Sequence, residues 1–337
     1  MSKPMTFGSD NHAGIVPEVL AAIAAANEGH ASGYGADLWT QQAETLLETT
    51  FGDAAFALCL TGTGSNVVAL SLALRGWESV LAAKGAHIDL DEAGAPEHIT
   101  GSKIETIATP DGRLTPELLT AALRAREQHH VVQRVVSITQ STECGTAYTP
   151  AAVQAIADWA HAHDMLLHVD GARLCNAAAT NGCGLGEVAP GADLISFGLT
   201  KNGAMGAEVV VAINPSLRAP IQNARKQATQ LQSKMRFVAA QVTALLTDDR
   251  WLAHATHANA MALRLADGIR DVPGVSIIHP VEANAVFAVL PAERIVALSE
   301  QHHFYIWDTS TNVARLMTAW DTTPADVDVL VADIASA

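Results

Sequence analysis

The sequence predicts an α/β chain: a large domain around a mostly parallel sheet, followed by a smaller α+β domain. Three observations predict it. Apolar, β-branched runs alternate with turns and helical stretches through the first two thirds. These runs are continuously apolar, as strands buried on both faces are. Near residue 214 the alternation gives way to a long helical stretch, and a shorter mixed pattern follows.

The elements follow in order. Residues 54–60 enter the turn Thr61-Gly62-Thr63-Gly64, and an Ala/Leu-rich helix continues to Arg75. A short strand precedes His87. Residues 135–140 form another strand, after which Thr149-Pro150 supply an N-cap and a first-turn proline for a helix to about His163. Residues 165–169 end at Asp170-Gly171, and residues 194–198 end at Thr200-Lys201-Asn202-Gly203. Residues 208–213 are a further β-branched run, and 218–268 read as mainly helical. Strands at 275–278, 284–290 and 313–319, with helices from Pro291 and Pro324, complete the chain. The expected division is 1–250 for the large domain and 251–337 for the small one.

Composition narrows the function. The 337 residues carry 20 Lys and Arg against 35 Asp and Glu, a net charge of −15, with 49% hydrophobic and 16% charged residues. A disordered chain is excluded. The acidic balance argues against nucleic acid and anionic membranes, because no basic stripe is present. Mean hydropathy is positive, yet the apolar stretches at 20–26 and 209–213 fall far short of the ~20 residues that span a bilayer. Met1-Ser2-Lys3-Pro4 shows no apolar leader. Cys59, Cys144, Cys175 and Cys183 form no CxxC pair and read as reduced thiols of a cytoplasmic protein. Small-molecule chemistry remains.

In an open parallel sheet, ligands sit at the carboxyl ends of the strands. There the sequence places the 61–64 turn, residues 140–145, Asp170-Gly171-Ala172-Arg173 and Thr200-Lys201. The glycine turn opens a helix whose first amides can hold a phosphate, although a lone Gly-Thr-Gly also suits an ordinary strand-to-helix turn. It matches neither nucleotide-binding glycine motif. Asp-Gly after a strand is a common turn. A lysine flanked by apolar sequence suits the desolvated amine that carbonyl chemistry needs. The combination says more than its parts. Pyridoxal phosphate requires a lysine for a Schiff base, an acid at the pyridine nitrogen and a helix N-terminus for the phosphate. His87 is placed to stack on the ring.

Along the whole chain the sequence resembles the L-threonine aldolase family, pyridoxal-phosphate enzymes of the aspartate-aminotransferase-like fold (fold type I). The likeness is carried by Phe7-Gly8-Ser9-Asp10-Asn11, Gly33-Tyr34-Gly35-Ala36-Asp37 and Thr61-Gly62-Thr63-Gly64-Ser65-Asn66. It continues in Ala86-His87 with Glu92-Ala93-Gly94, His168-Val169-Asp170-Gly171-Ala172-Arg173, Ser196-Phe197-Gly198-Leu199-Thr200-Lys201 and Ala314-Arg315-Leu316. The resemblance implies that Lys201 carries pyridoxal 5'-phosphate and that Asp170 partners its ring nitrogen. Arg173 would lie near the cofactor's 3-oxygen or the substrate carboxylate. His87 would stack on the ring, and Gly62, Thr63 and Thr200 would hold the phosphate. Ser9 and Arg315 would bind the substrate carboxylate, Arg315 through its bidentate fork. A homotetramer with shared sites is implied, in which Tyr34 and a basic residue near Arg225, Lys226 or Arg236 come from the neighbour.

Two departures stand out. A Glu-Asn-Thr-His stretch common in the family reads Gln140-Ser141-Thr142-Glu143 here, so Glu143 replaces its histidine. The glycine-rich run before Met-Arg reads Gln232-Ser233-Lys234-Met235-Arg236. Both resemble a branch with low threo/erythro selectivity and phenylserine-type substrates. The implied reaction is cleavage of threonine-like or phenylserine-like amino acids to glycine and an aldehyde. His87 is the first choice for the base at the β-hydroxyl, and Glu143 the second. β-Elimination, transamination and racemisation on the same scaffold are the alternatives, and a non-catalytic protein keeping the fold is the rival of another class. No metal site is expected: His254 and His257 have HxxH spacing without a glutamate or third ligand. With so few cations, Arg173, Lys201 and Arg315, joined by Lys226 or Arg236 of a neighbouring chain, are expected to form a cationic pocket.

Overall fold

The computed structural model describes residues 6–336. The opening Met1-Ser2-Lys3-Pro4, read above as lacking an apolar leader, lies outside them. Seven strands form the large sheet: β1 (Ala55–Cys59), β2 (Glu78–Ala83), β3 (Lys103–Ile107), β4 (Val132–Thr139), β5 (Leu166–Gly171), β6 (Leu194–Gly198) and β7 (Glu208–Ala212). Their spatial order is β1-β7-β6-β5-β4-β2-β3. Only β7 runs against the others, antiparallel to both β1 and β6.

Every residue of β5, β6 and β7 is buried, because helices cover both faces. Alternate side chains serve two separate cores. Leu58, Val136, Leu167, Ile195 and Val209 meet the helices that carry Ile156 and Leu245 on one face. Cys59, Val135, Leu166, Leu194 and Val210 meet Val67 and Leu70 on the other. This two-sided burial explains why the runs read as continuously apolar.

The small sheet holds β8 (Ser276–Ile277), β9 (Ala285–Val289), β10 (Tyr305–Asp308) and β11 (Val313–Met317), in the order β10-β11-β9-β8 and antiparallel throughout. β3 and β10 had no counterpart in the sequence reading. Both lie at sheet edges with mixed exposure, so their composition lacks the apolar signature of the buried strands. Phe7, near the other end of the chain, packs in the small core with Leu265, Val286 and Leu316. Its carbonyl accepts from the Met317 amide at 2.7 Å. That anchor fixes the following residues, Ser9 and Asp10, beside the large sheet's edge.

The turn after β6 decides where Lys201 stands. Thr200–Asn202 form a single 3₁₀ turn, held by Asn202 N–H to the Leu199 carbonyl at 3.0 Å and by Asn202 Nδ2 to the Trp251 carbonyl at 3.1 Å. The turn closes on Gly203 at φ +103°, where a Cβ would overlap Val16 Cγ1. Gly203→Ala therefore combines backbone strain with a steric clash, and is expected to cost about 1–3 kcal/mol. A denaturant titration showing an unchanged midpoint would remove this account of the turn.

Candidate active site

The carboxyl ends of β1, β4, β5 and β6 converge on a cavity of about 350 Å³. Gly62, Thr63, His87, Glu143, Asp170, Thr200 and Lys201 line it, together with Asn11, Asn66, Glu92, Met205 and Glu208. Seven of the sequence-predicted residues thus meet in one place, drawn from positions 62 to 201.

The helix Gly62–Ala73 points its N-terminus into the cavity. Thr61 Oγ1 caps it by accepting from the Gly64 amide at 3.0 Å, leaving the amides of Gly62 and Thr63 without intrahelical acceptors. No atom stands within 4 Å of where a Cβ on Gly62 would lie. That open, amide-lined corner fits an anion.

Asp170 is 4% exposed, one residue before the end of β5. Its Oδ2 accepts from Asn66 Nδ2 at 2.9 Å and its Oδ1 from the Ala172 amide at 3.1 Å. Asn66 Nδ2 also donates to Glu92 Oε1 at 2.8 Å, and His87 Nδ1 lies 2.9 Å from that same oxygen. His87, Glu92, Asn66 and Asp170 form one connected chain of bonds. The Glu92 bond lifts His87 above the ordinary imidazole range, against burial, and Asp170 and Glu143 add to the rise. Beneath Asp170, His168 is fully buried between Ser137 Oγ at 2.9 Å and Ser196 Oγ at 3.0 Å. Burial pushes it well below the usual range, so it stays neutral.

Arg173 is engaged elsewhere. It is buried and makes a bidentate pair with Asp10, at 2.7 and 2.9 Å, and Asn284 Nδ2 donates to the same carboxylate at 3.0 Å. Burial opposes the charge on Asp10, yet Arg173 holds that carboxyl below its usual range. Arg315, on β11, donates to the Gly8 carbonyl at 3.0 Å and lies 5.2 Å from the ring centres of Tyr305 and Trp307. Its Nε is buried without a partner. Burial, and then the Arg173 charge, lower its pKa. Arg173 and Arg315 meet Glu143 in a narrow gap, and Glu143 also lines the larger cavity.

The remaining predicted residues lie outside the lining. The Ser9 hydroxyl caps the turn Asp10–His12 by accepting from the Asn11 amide at 3.2 Å. Tyr34 is 58% exposed, with Lys226 Nζ 5.5 Å from its ring centre. Arg225 is buried under β1, its guanidinium 3.5 Å from the Leu58 carbonyl, and Arg236 donates to the Gly29 carbonyl at 3.1 Å.

The expected cationic pocket is not what the cavity shows. Glu92, Glu143, Asp170 and Glu208 line it with Lys201, while Arg173 is neutralised by Asp10 and Arg315 stands behind Glu143. The sequence reading gave no role to Asn66, Glu92, Asp10 or Glu208. A polar Asn one turn after Gly62 in an apolar helix was a usable signal. The Asp10–Arg173 pair spans 163 positions and left none.

The residues present fit pyridoxal phosphate: an anion corner, an amine, a carboxylate and an imidazole surround one cavity. Residues 6–293 match the beta-eliminating lyase family. Over 333 residues the chain is 41% identical to the low specificity L-threonine aldolase of Pseudomonas aeruginosa, covering 97% of this chain and 96% of that one. The chain belongs to the L-threonine aldolases of the beta-eliminating lyase family. The threonine aldolase of Leishmania major superposes with a TM-score of 0.94 at 30% identity, covering 99% of both chains. A structure of SPT with PLP shares the fold at a TM-score of 0.74 and 17% identity, covering 99% of this chain and 87% of that one. As an L-threonine aldolase family member, the chain is a pyridoxal-phosphate-dependent lyase of fold type I. No helix among the described residues is long and apolar enough to cross a membrane, and no group of three metal-type ligands comes together among them. His257 Nε2 lies 2.7 Å from the Thr322 carbonyl instead.

Proposed function

We propose that this lyase cleaves L-threonine, L-allo-threonine and L-phenylserine-type β-hydroxy-α-amino acids reversibly to glycine and an aldehyde. The observation that carries this reading is the convergence of Lys201, Asp170, His87 and the Gly62–Thr63 amides on one cavity, in a chain of this family. Bound pyridoxal phosphate supplies an electron sink for the carbon–carbon bond that breaks. In this reading Lys201 holds the cofactor covalently, and Asp170 holds a proton on its ring nitrogen. Gly62, Thr63 and Thr200 grip the phosphate. Arg315, whose Nε has no partner, would take the substrate carboxylate together with Ser9, next to the Gly8 carbonyl it already holds, and Arg173, paired with Asp10, would add to that grip and so orient the bond to be broken.

His87 takes the proton from the β-hydroxyl, with Glu143 as the second candidate. A base must be neutral imidazole, and the Glu92 bond raises the His87 pKa. The acidic limb of kcat/KM is therefore expected above the ordinary imidazole position of about 6.5. Glu92→Gln removes the raising bond, so the limb should move to lower pH. His87→Asn should lower kcat by about 10²–10⁴-fold. An identical limb in the Glu92 variant would assign the base elsewhere.

Room for a large aldehyde supports the phenylserine-type substrates. A second cavity of about 720 Å³, lined by Leu90, Cys144 and Trp307, adjoins the first at Glu143. Support for a homotetramer with shared sites comes from an apolar groove of about 530 Å³. Leu60 and Met205 line both that groove and the cofactor cavity, and Met205 is 58% exposed. Tyr34, with Lys226 over its ring, would then reach the neighbour's site. The four free thiols suit the cytoplasm. A division between the domains near residue 250 suits the left-handed pair Asp248 and Asp249, which interrupts the helical run there.

Incubation with L-threonine, L-allo-threonine and both L-phenylserine diastereomers tests the whole reading. Glycine with the matching aldehyde is expected. The 2-oxo acid that keeps the whole carbon skeleton, 2-oxobutanoate from threonine or phenylpyruvate from phenylserine, with ammonia would replace it by β-elimination.

A further inference from the structure

We propose that Glu208 acts as a proton-controlled positioning residue, setting the direction of the Thr200 hydroxyl bond and so the grip on the cofactor's phosphate. The proposal rests on the reading that Gly62, Thr63 and Thr200 hold that phosphate. Glu208 is 4% exposed and lines the cavity. Because β7 runs against its neighbours, its first residue stands at the carboxyl ends of the others, opposite Gly198 on β6 and Cys59 on β1. Its Oε1 is hydrogen-bonded to Thr200 Oγ1, which also accepts from the Ala207 amide at 3.4 Å.

A hydroxyl has one proton to give. While Glu208 is ionised, Thr200 spends that proton on the carboxylate and offers nothing to an anion in the cavity. Once Glu208 is protonated, its own O–H donates to Thr200 Oγ1, and the Thr200 proton turns to the phosphate. Protonation also removes a negative charge that would face the phosphate at close range. The groups that face Glu208 are Lys201 and Thr200 on the turn after β6, Asp170 on β5, Cys175 on the helix Leu174–Asn181 that follows β5, and Cys59 on β1. Burial pushes the Glu208 carboxyl up to about 7, against the Thr200 bond and the Lys201 charge, with Asp170 adding to the rise. Phosphate binding and proton uptake at Glu208 therefore favour each other by linkage. The acid form dominates below neutrality, and affinity falls as pH rises above it.

The test titrates the full chain, freed of cofactor, with pyridoxal phosphate and in parallel with pyridoxal, across neutral pH. Glu208→Gln donates permanently through its amide and mimics the acid form. Relative to that variant, the wild type should lose pyridoxal phosphate affinity by about tenfold per pH unit above neutrality, the slope of one linked proton. Pyridoxal, which lacks the phosphate, should show no such difference. Parallel profiles of the two proteins for pyridoxal phosphate would overturn the proposal. An infrared difference spectrum needs no variant: above neutral pH, adding pyridoxal phosphate should create a protonated-carboxyl stretch, and its absence would also overturn it. Thr200→Val separates the underlying reading. If that variant binds pyridoxal phosphate as tightly as the wild type, the phosphate corner itself is misplaced.

Discussion

Lys201→Ala is expected to reduce turnover by on the order of 10⁴-fold or more, the scale on which enzymes lose rate when a covalent group is removed. The long-wavelength absorbance of lysine-bound cofactor should disappear with it. The fold should survive. The Lys201 side chain makes no hydrogen bond or ion pair among the described residues, and the turn around it is held by backbone bonds and by Asn202. Truncation breaks no hydrogen bond, but it removes the charge that lowers the buried Asp10 and Glu208 carboxyls, so a loss of about 1 kcal/mol of unfolding free energy is expected, too little to unfold the chain. Activity and absorbance are measured on the same preparation, with circular dichroism as the check on folding. An unchanged cofactor spectrum in this variant would move the covalent role to another amine.

Asp170→Asn is expected to lower kcat by about 10²–10³-fold while leaving the cofactor bound. The change keeps size and shape but removes the negative charge facing the cavity, and a fixed charge that stabilises a developing one contributes on that scale. Asn66 Nδ2 and the Ala172 amide still find an acceptor in the new side chain's oxygen, although not two. One lost acceptor costs about 1 kcal/mol of stability, so expression and folding should persist. Steady-state kinetics with cofactor in excess separates a loss in kcat from a loss of binding. If kcat holds and only cofactor affinity falls, Asp170 anchors the cofactor without tuning it.

These two residues show how much of the site was legible in the chain itself. Asp170 and Lys201 each end a continuously apolar run, and sheets of this type place such ends along one edge. The glycine turn and His87 were readable for the same reason. β7 was readable as a strand but not as an antiparallel one. Its direction depends on the short return from β6, and that direction carries Glu208 to the working edge. Asn66 and Glu92 appeared in recognisable stretches, but the chain that links His87 through them to Asp170 exists only after the helix is packed on the sheet.

By itself, then, the amino-acid sequence determined the order of the buried strands and their helices, the edge that carries the candidate site, the cofactor and the family. Those features rest on local composition and on short segments whose meaning survives without neighbours. Tertiary structure alone decided which charges are free. The net charge of −15 and a shortage of cations suggested a positive pocket. Folding instead tied Arg173 to Asp10, set Arg315 behind Glu143, and brought four carboxyl groups around Lys201. The physical reason is that ion pairing and desolvation depend on distances of a few ångströms between residues far apart in sequence.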